Sequence, residues 1–506
     1  MLPATGMVRG KRGTMAKRVV LFLTCSWLLL AGGHLYSGDE VMMARVTEAL
    51  VTRGSLSPRP LEHFRDYARV EGRDRQSYTW YGLGPSLAAV PFYLGGMLLE
   101  QVVEPADLRA FQHPVLLFYD RQDRSEVVRS FLVSWTNAFV MAAVAWLLFG
   151  LLRRQGMTER GAALATLGFG LTGIVPFYAR SFFSEPLGAL CWMAGIVAWV
   201  RARESFSWRW ALAAGLAFGA LPLARVALGG GLPVAALAVA LDLWRLRDRP
   251  GRDRVRAAAW MAAGLAVTLG IWAGTNLLRF GHPFESGYSG VLGLFGGDPL
   301  EGLSGLLLSP GRGLIWHVPW ALPALLGLPL LGRRDPSLAV FSGGLLAALL
   351  ALYAPWAMWD GGWCFGPRFL VPALPSLAIP MALVAGRWTG SPGGRVLLGL
   401  VAAASILVAA ASVLVNYEDY HFALWASTPD PDGAVRWDPA WSPLWRYWSW
   451  PRKGFLILPR LLWGQGGWAL AALAWSLLGT WAVAGFRLAT AMLRSPGAID
   501  SPGTSR

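Results

Sequence analysis

The 506-residue chain is 55% hydrophobic and only 15% charged, with a mean hydropathy of +0.43. That excludes an ordinary soluble protein, which carries roughly 25% charged residues to cover itself. The net charge of +15 does not read as nucleic-acid binding, because the basic residues gather in short segments between apolar runs. These are Lys11, Arg12, Lys17 and Arg18; Arg153, Arg154 and Arg160; Arg201, Arg203 and Arg209; Arg245 to Arg256; and Arg333 with Arg334. Such placement is the positive-inside pattern of cytoplasmic loops.

The expected fold class is all-α, a polytopic membrane protein with about twelve spanning helices. In chain order, residues 1–18 form a cytoplasmic N-terminus. Lys17 to Gly33 has the basic start and apolar middle of a signal peptide, but it reads as an uncleaved first helix at 19–36, since no small-x-small site follows. A first outer loop covers 37–128. Within it Tyr81 to Leu99 is apolar, yet Gly82, Gly84, Pro85 and Pro91 weaken a straight span. Counting it as a span would turn Arg153 to Arg160 outward, so it is expected to lie along the outer surface as an interfacial helix.

Further spans are expected at 129–152, 160–178, 186–200, 209–224, 228–244, 255–277, 314–331, 338–356, 370–387 and 395–415. They complete a membrane core at 19–415. An outer loop at 416–463, a last span at 464–486 and a cytoplasmic tail at 487–506 follow; the tail from Ser495 is Pro/Gly/Ser-rich and expected to be disordered. Both termini are cytoplasmic in this reading. Of the three cysteines, Cys25 and Cys191 fall in apolar helices and Cys364 in an outer loop, so no disulfide framework is implied.

The polar motifs fall on the outer side. Gly38-Asp39-Glu40 follows the first helix; adjacent carboxylates there serve as a base, a metal ligand or a lipid-head contact, or simply as a helix cap. Arg180 and Glu185 share one short turn, with Pro186 fitting a first helical position. That turn is either an organised polar site or a capped helix start. The 278–313 loop holds His282 and the Ser309-Pro310-Gly311-Arg312-Gly313 string, read as a folded lid or as turn chemistry. Trp356 to Arg368 interleaves Trp359, Trp363, Gly361, Gly362 and Gly366 before Arg368. Indole and guanidinium suit a sugar stacked beside a phosphate, and equally an aromatic belt with a snorkelling arginine. Arg225, in the turn between two spans, is a weaker candidate of the same kind.

There is no GxxxxGK[ST], HExxH, CxxC pair or GxSxG, so no nucleotide site is expected. The acidic pair leaves a divalent cation open as a cofactor. A non-enzymatic transporter or flippase of lipid-linked sugars is the alternative function. Carriers place ionisable residues near the midplane, whereas here the spans are nearly free of central charge.

With these residues in hand, residues 19–415 resemble the GT-C superfamily of membrane glycosyltransferases. They are most similar to the bacterial phospholipid-carrier-dependent branch related to protein O-mannosyltransferases and lipid A aminoarabinose transferases. The likeness rests on Asp39 with Glu40, the Gly54-Ser55-Leu56 turn, the stretch Tyr81 to Leu94, Glu185-Pro186, Leu223-Ala224-Arg225, the 309–313 string and Gly366-Pro367-Arg368. It implies an inverting sugar transfer from a polyprenyl-phosphate carrier to a hydroxyl of a glycan, protein or lipid. The active site would face the outside or periplasm of a bacterial inner membrane. Asp39 would be the catalytic acid, Glu185 the second acidic position, and Glu40 a neighbour able to take the role of base. Arg368 with Arg225 would hold the carrier phosphate, and Arg180, Arg312, Trp363 and His282 complete the expected substrate-binding set. Unlike better-known relatives, the sequence shows no large soluble C-terminal domain after the last span.

Overall fold

The computed structural model describes residues 13–61, 65–103, 124–450, 461–464 and 467–494. The expected disordered tail and most of the N-terminal segment lie outside the described residues, as does 104–123 of the first outer loop. The described chain is helical apart from one small antiparallel hairpin, Arg69–Glu71 with Ser77–Thr79, an addition to the expected all-α class.

Seven helices among the described residues are long and apolar enough to cross a membrane: Glu126–Arg154, Val226–Arg245, Gly251–Phe280, Pro336–Tyr353, Arg368–Trp388, Pro392–Leu414 and Gly467–Arg494. They coincide with seven of the expected spans. Thr14–Leu30 stops short of residue 36, because the chain turns at Gly32-Gly33, where Gly33 has φ 71°.

Three expected spans are interrupted rather than continuous. The segment at 160–178 divides into Glu159–Leu171 and Val175–Arg180, with Gly173 at φ 62° between them. The one at 209–224 divides into Trp208–Gly219 and Leu221–Ala224, with Pro222 in the first turn of the second piece. The one at 314–331 divides into Leu314–His317 and Ala321–Arg334. Val318 precedes Pro319 and leaves the helical region at ψ 70°. Arg180, Arg225 and Arg312 each lie at or just beyond one end of the short helical piece that such a break cuts off.

The core is one continuous apolar cluster running through most of the helices, with Trp27, Trp192 and Trp199 fully buried in it. A second cluster joins Gly38–Arg53 to Leu83–Leu99 through Val41, Met42, Ala89 and Tyr93. Gly82 makes a separate close approach: a Cβ there would stand 2.2 Å from the Leu223 carbonyl oxygen. The close approach sets Tyr81 beside the turn that carries Arg225.

Candidate functional site

Ser37 caps the Gly38–Arg53 helix by accepting from the Glu40 amide. Asp39 and Glu40 then occupy the first turn, where successive side chains diverge around the axis. Asp39 faces a cavity of about 660 Å³. Glu40 is fully buried on the other side. Its two carboxylate oxygens accept from the amides of Tyr36 at 2.6 Å and Phe182 at 3.0 Å. Burial, against those two amides, pushes the Glu40 carboxyl up to about 8.

Asp39 is engaged at both oxygens. Oδ1 accepts from the hydroxyls of Tyr67 at 2.5 Å and Tyr81 at 2.6 Å. Oδ2 accepts from Nη2 of Arg368 at 2.6 Å. Burial acts to raise this carboxyl, and the Arg368 charge with the two phenols outweighs it, holding Asp39 below the ordinary carboxylate value. Tyr81 moves the other way, pushed well up by its burial and by the Asp39 charge.

Arg368 opens the turn that leads into Leu374–Trp388. Its Nε donates to Oε1 of Glu185 at 2.8 Å. The same Glu185 oxygen accepts from Nη1 of Arg225 at 2.7 Å. Glu185 starts its helix, Glu185–Ser205, with Pro186 in the first turn. Its side chain is completely enclosed. Arg225 is extended between two short helices, bonds the Tyr353 hydroxyl at 3.0 Å and lies over the Phe369 ring at 4.6 Å. Phe369 in turn stacks on Tyr353 at 3.9 Å. Two arginines and two carboxylates thus form one linked group, with Asp39, Arg225 and Arg368 on the cavity wall.

Asp39, Arg225, Arg368 and Trp363 therefore meet at one cavity, and Glu185 supports it from behind. The remaining sequence candidates are elsewhere. Arg180 is buried, giving Nη1 to the Leu30 carbonyl at 3.2 Å and Nη2 to that of Ser412 at 2.9 Å. It ties two helix ends together. Arg312 is also buried and donates to the carbonyls of Cys364 and Gly362. That arginine braces a loop whose Gly361, Gly362 and Gly366 have φ between 69° and 80°, and the loop delivers Arg368. His282 is exposed, its Nδ1 accepting from the Phe284 amide at 3.3 Å.

Several lining residues escaped the sequence reading. Tyr67 and Tyr81 hold Asp39. The same cavity is lined by Arg436, paired with Asp360 at 3.0 Å, and by Asp432 and Glu418. Asp360 lay inside the Trp356 to Arg368 motif, and its carboxylate between indoles was a usable signal. Arg436 and Asp432 come from the 416–463 loop, where nothing in the sequence marks them. Among the described residues no group of three or more His, Cys, Asp or Glu side chains is placed to hold a metal ion. The donors around Asp39, two hydroxyls and a guanidinium, suit an anion rather than a cation's coordination shell.

No protein-family model matches the chain, and no curated protein matches it. Among solved structures, ArnT from Cupriavidus metallidurans bound to undecaprenyl phosphate is similar at 15% identity. The match covers 96% of this chain and 78% of that one, with a TM-score of 0.49. The oligosaccharyltransferase from Archaeoglobus fulgidus is similar in its apo form at 13% identity, covering 84% of this chain and 60% of that one, with a TM-score of 0.44. The same enzyme tethered to an acceptor peptide gives 12%, 84%, 58% and 0.46. This chain spans about three-fifths of the length of the latter two.

Proposed function

We propose that this protein is a GT-C-type glycosyltransferase that moves a sugar from a polyprenyl-phosphate carrier to an acceptor hydroxyl at the outer face of the membrane. One observation carries the reading: a cavity-facing carboxylate, Asp39, stands 2.6 Å from Arg368, which shares the buried Glu185 with Arg225. A base and a cationic clamp are the two groups such a transfer needs.

The donor already has its leaving group attached, so no nucleotide is required. Asp39 accepts the acceptor's hydroxyl proton while that oxygen forms a bond to the anomeric carbon from the side opposite the leaving group. The electron pair of the broken carbon–oxygen bond departs with the polyprenyl phosphate, whose charge Arg225 and Arg368 meet. A positioned base contributes about 10²–10⁴-fold, and preorganised cations at the departing phosphate contribute a term of similar size. Trp363, on the cavity wall and stacked on His421 at 5.8 Å, offers an indole surface to the sugar.

The deciding experiment follows radiolabelled sugar from a bacterial lipid extract into any acceptor, in membranes holding the protein or its Asp39→Asn variant at matched levels. Label transfer by the wild type and its loss by roughly 10²-fold or more in the variant supports the reading. Equal transfer by both removes Asp39 as the base. Ser37 caps this helix, so Asp39→Asn leaves the cap intact, and thermal melts of the variant separate a lost base from a lost fold.

A further inference from the structure

Resting on that reading, we infer that Arg368 latches the base: it occupies the Oδ2 atom of Asp39 until a phosphate takes the guanidinium away. Each carboxylate oxygen offers two lone-pair sites. The Tyr67 and Tyr81 hydroxyls already fill both on Oδ1, at 2.5 and 2.6 Å. That leaves Oδ2 to receive a proton; Arg368 takes one of its two sites at 2.6 Å, and the adjacent positive charge lowers the basicity of the other. A carboxylate so engaged is a poor base.

Charge decides when it is released. Asp39, Glu185, Arg225 and Arg368 sum formally to zero, and none of these side chains is more than 15% exposed. A phosphate brought into a neutral, enclosed group of this kind is costly unless one carboxylate gives up its arginine. Burial selects which one. Glu185 is 0% exposed and bonded to both arginines, whereas Asp39 is 14% exposed and lines the cavity. The Arg368–Asp39 bond is the one a ligand can reach and replace. Arg368 then turns Nη2 to the phosphate and keeps Nε on Glu185.

When Oδ2 is freed, the two phenols keep the carboxylate where it was. Tyr67 and Tyr81 are therefore positioning residues, and Asp39 becomes competent only after the donor phosphate has arrived. Without donor the base stays masked. The device makes donor-before-acceptor order a property of one ion pair.

The inference makes Asp39 and phosphate competitors for the same guanidinium, which a simple base is not. The test measures binding to the full-length protein in detergent, using farnesyl phosphate and inorganic phosphate as separate probes. In Asp39→Asn the amide either presents an N–H that cannot bond the guanidinium or offers only a neutral oxygen. Phosphate affinity is expected to rise roughly tenfold, while sugar transfer falls. Asp39→Ala is expected to shift affinity in the same direction, and thermal melts of both variants confirm folding. Tightening with both probes assigns the latch to phosphate itself, and tightening with farnesyl phosphate alone assigns it to a lipid headgroup. Unchanged or weakened affinity for both probes in folded variants overturns the latch. Lost transfer with unchanged affinity leaves Asp39 as the base and removes only the latch, whereas retained transfer removes the base.

Discussion

Arg368 and Asp39 stand 329 positions apart in the chain, yet their charged atoms are 2.6 Å apart. The pair joins the first turn after the opening helix to the start of the Arg368–Trp388 span, and most of the membrane core lies between them in sequence. Glu185 and Arg225 join the same group from the middle of the chain. Four segments that share no local sequence relationship are thus fixed against one another by charge.

Arg368→Ala is expected to raise the donor KM far more than Arg368→Lys does. The guanidinium serves Asp39, Glu185 and the Gly361 carbonyl from three nitrogens, a geometry one ammonium cannot reproduce, although Lys restores the charge. Initial rates at limiting lipid donor, with protein levels matched, give the comparison. Wild-type KM in the alanine variant would leave Arg368 as a structural strut only.

Much of this site was legible before the fold. Asp39, Glu185, Arg225 and Arg368 each sit at a helix boundary, three of them beside Gly or Pro, and boundary charges between apolar runs stand out in a sequence so poor in charge. The same signal drew in Arg180 and Arg312, whose side chains turn inward to carbonyls. A sequence does not tell a guanidinium that faces a cavity from one that holds a loop, since both are arginines at helix boundaries. Glu40 illustrates the matching limit for acids: one residue along a helix rotates a side chain by about 100°, enough to send it from cavity to core. Tyr67 carried no mark, and Tyr81 was noted only as the start of an apolar stretch, because phenols are common at membrane interfaces. The interrupted helices were missed because hydropathy averages over the single Gly or Pro that breaks them.

Removing either phenol is expected to move the acid limb of sugar transfer to higher pH. Asp39 is held below its ordinary value with help from Tyr67 and Tyr81, and each lost hydroxyl withdraws a donor that favours the anion. The folded-state carboxyl therefore rises, and ionised base is lost earlier as pH falls. Profiles of kcat/KM for Tyr67→Phe and Tyr81→Phe from pH 3.5 to 7, overlaid on wild type, show the displacement. Superimposable acid limbs would detach both phenols from the titration of Asp39.

Glu40→Gln is expected to melt below wild type at pH 5, with a gap that narrows toward pH 8. Burial raises the Glu40 carboxyl from 4.5 to about 8. A raised folded-state value means the native protein binds the proton more tightly than the unfolded chain does. The stability this adds is complete below about pH 4.5 and is lost as pH rises through about 8, at no more than about 1.4 kcal/mol per pH unit. Glutamine lacks that proton and keeps one acceptor for two amides, those of Tyr36 and Phe182. It is therefore weaker at low pH and insensitive across the window. Melting temperatures in detergent at pH 5, 6.5 and 8 for both proteins measure the gap, and a constant gap would place the titration elsewhere.

Leu83–Leu99 is expected to lie at the outer surface, with both of its ends on the outer side. The helix carries Pro91 midway, where the missing backbone N–H weakens a lipid-exposed span. Its first end is fixed at the cavity, since Tyr81 bonds Asp39 and Gly82 rests on the Leu223 carbonyl. Its far end is tied to Arg129 by two Glu100 contacts at 2.9 Å. Arg129 belongs to the helix that leads, within eight residues along the chain, to Asn137. The Asn137 amide donates to the carbonyls of Ser181 and Phe183, beside Glu185. The far end is thus held against the first turns of the Glu126–Arg154 helix, the end of that span expected on the outer side. Single cysteines at Gln76 and Gln101, both exposed, on a background lacking Cys25, Cys191 and Cys364, are to be treated with an impermeant maleimide in intact cells. Both are expected to react without permeabilisation. Reaction of Gln101→Cys only after the membrane is opened would make Leu83–Leu99 a crossing helix and invert every span that follows.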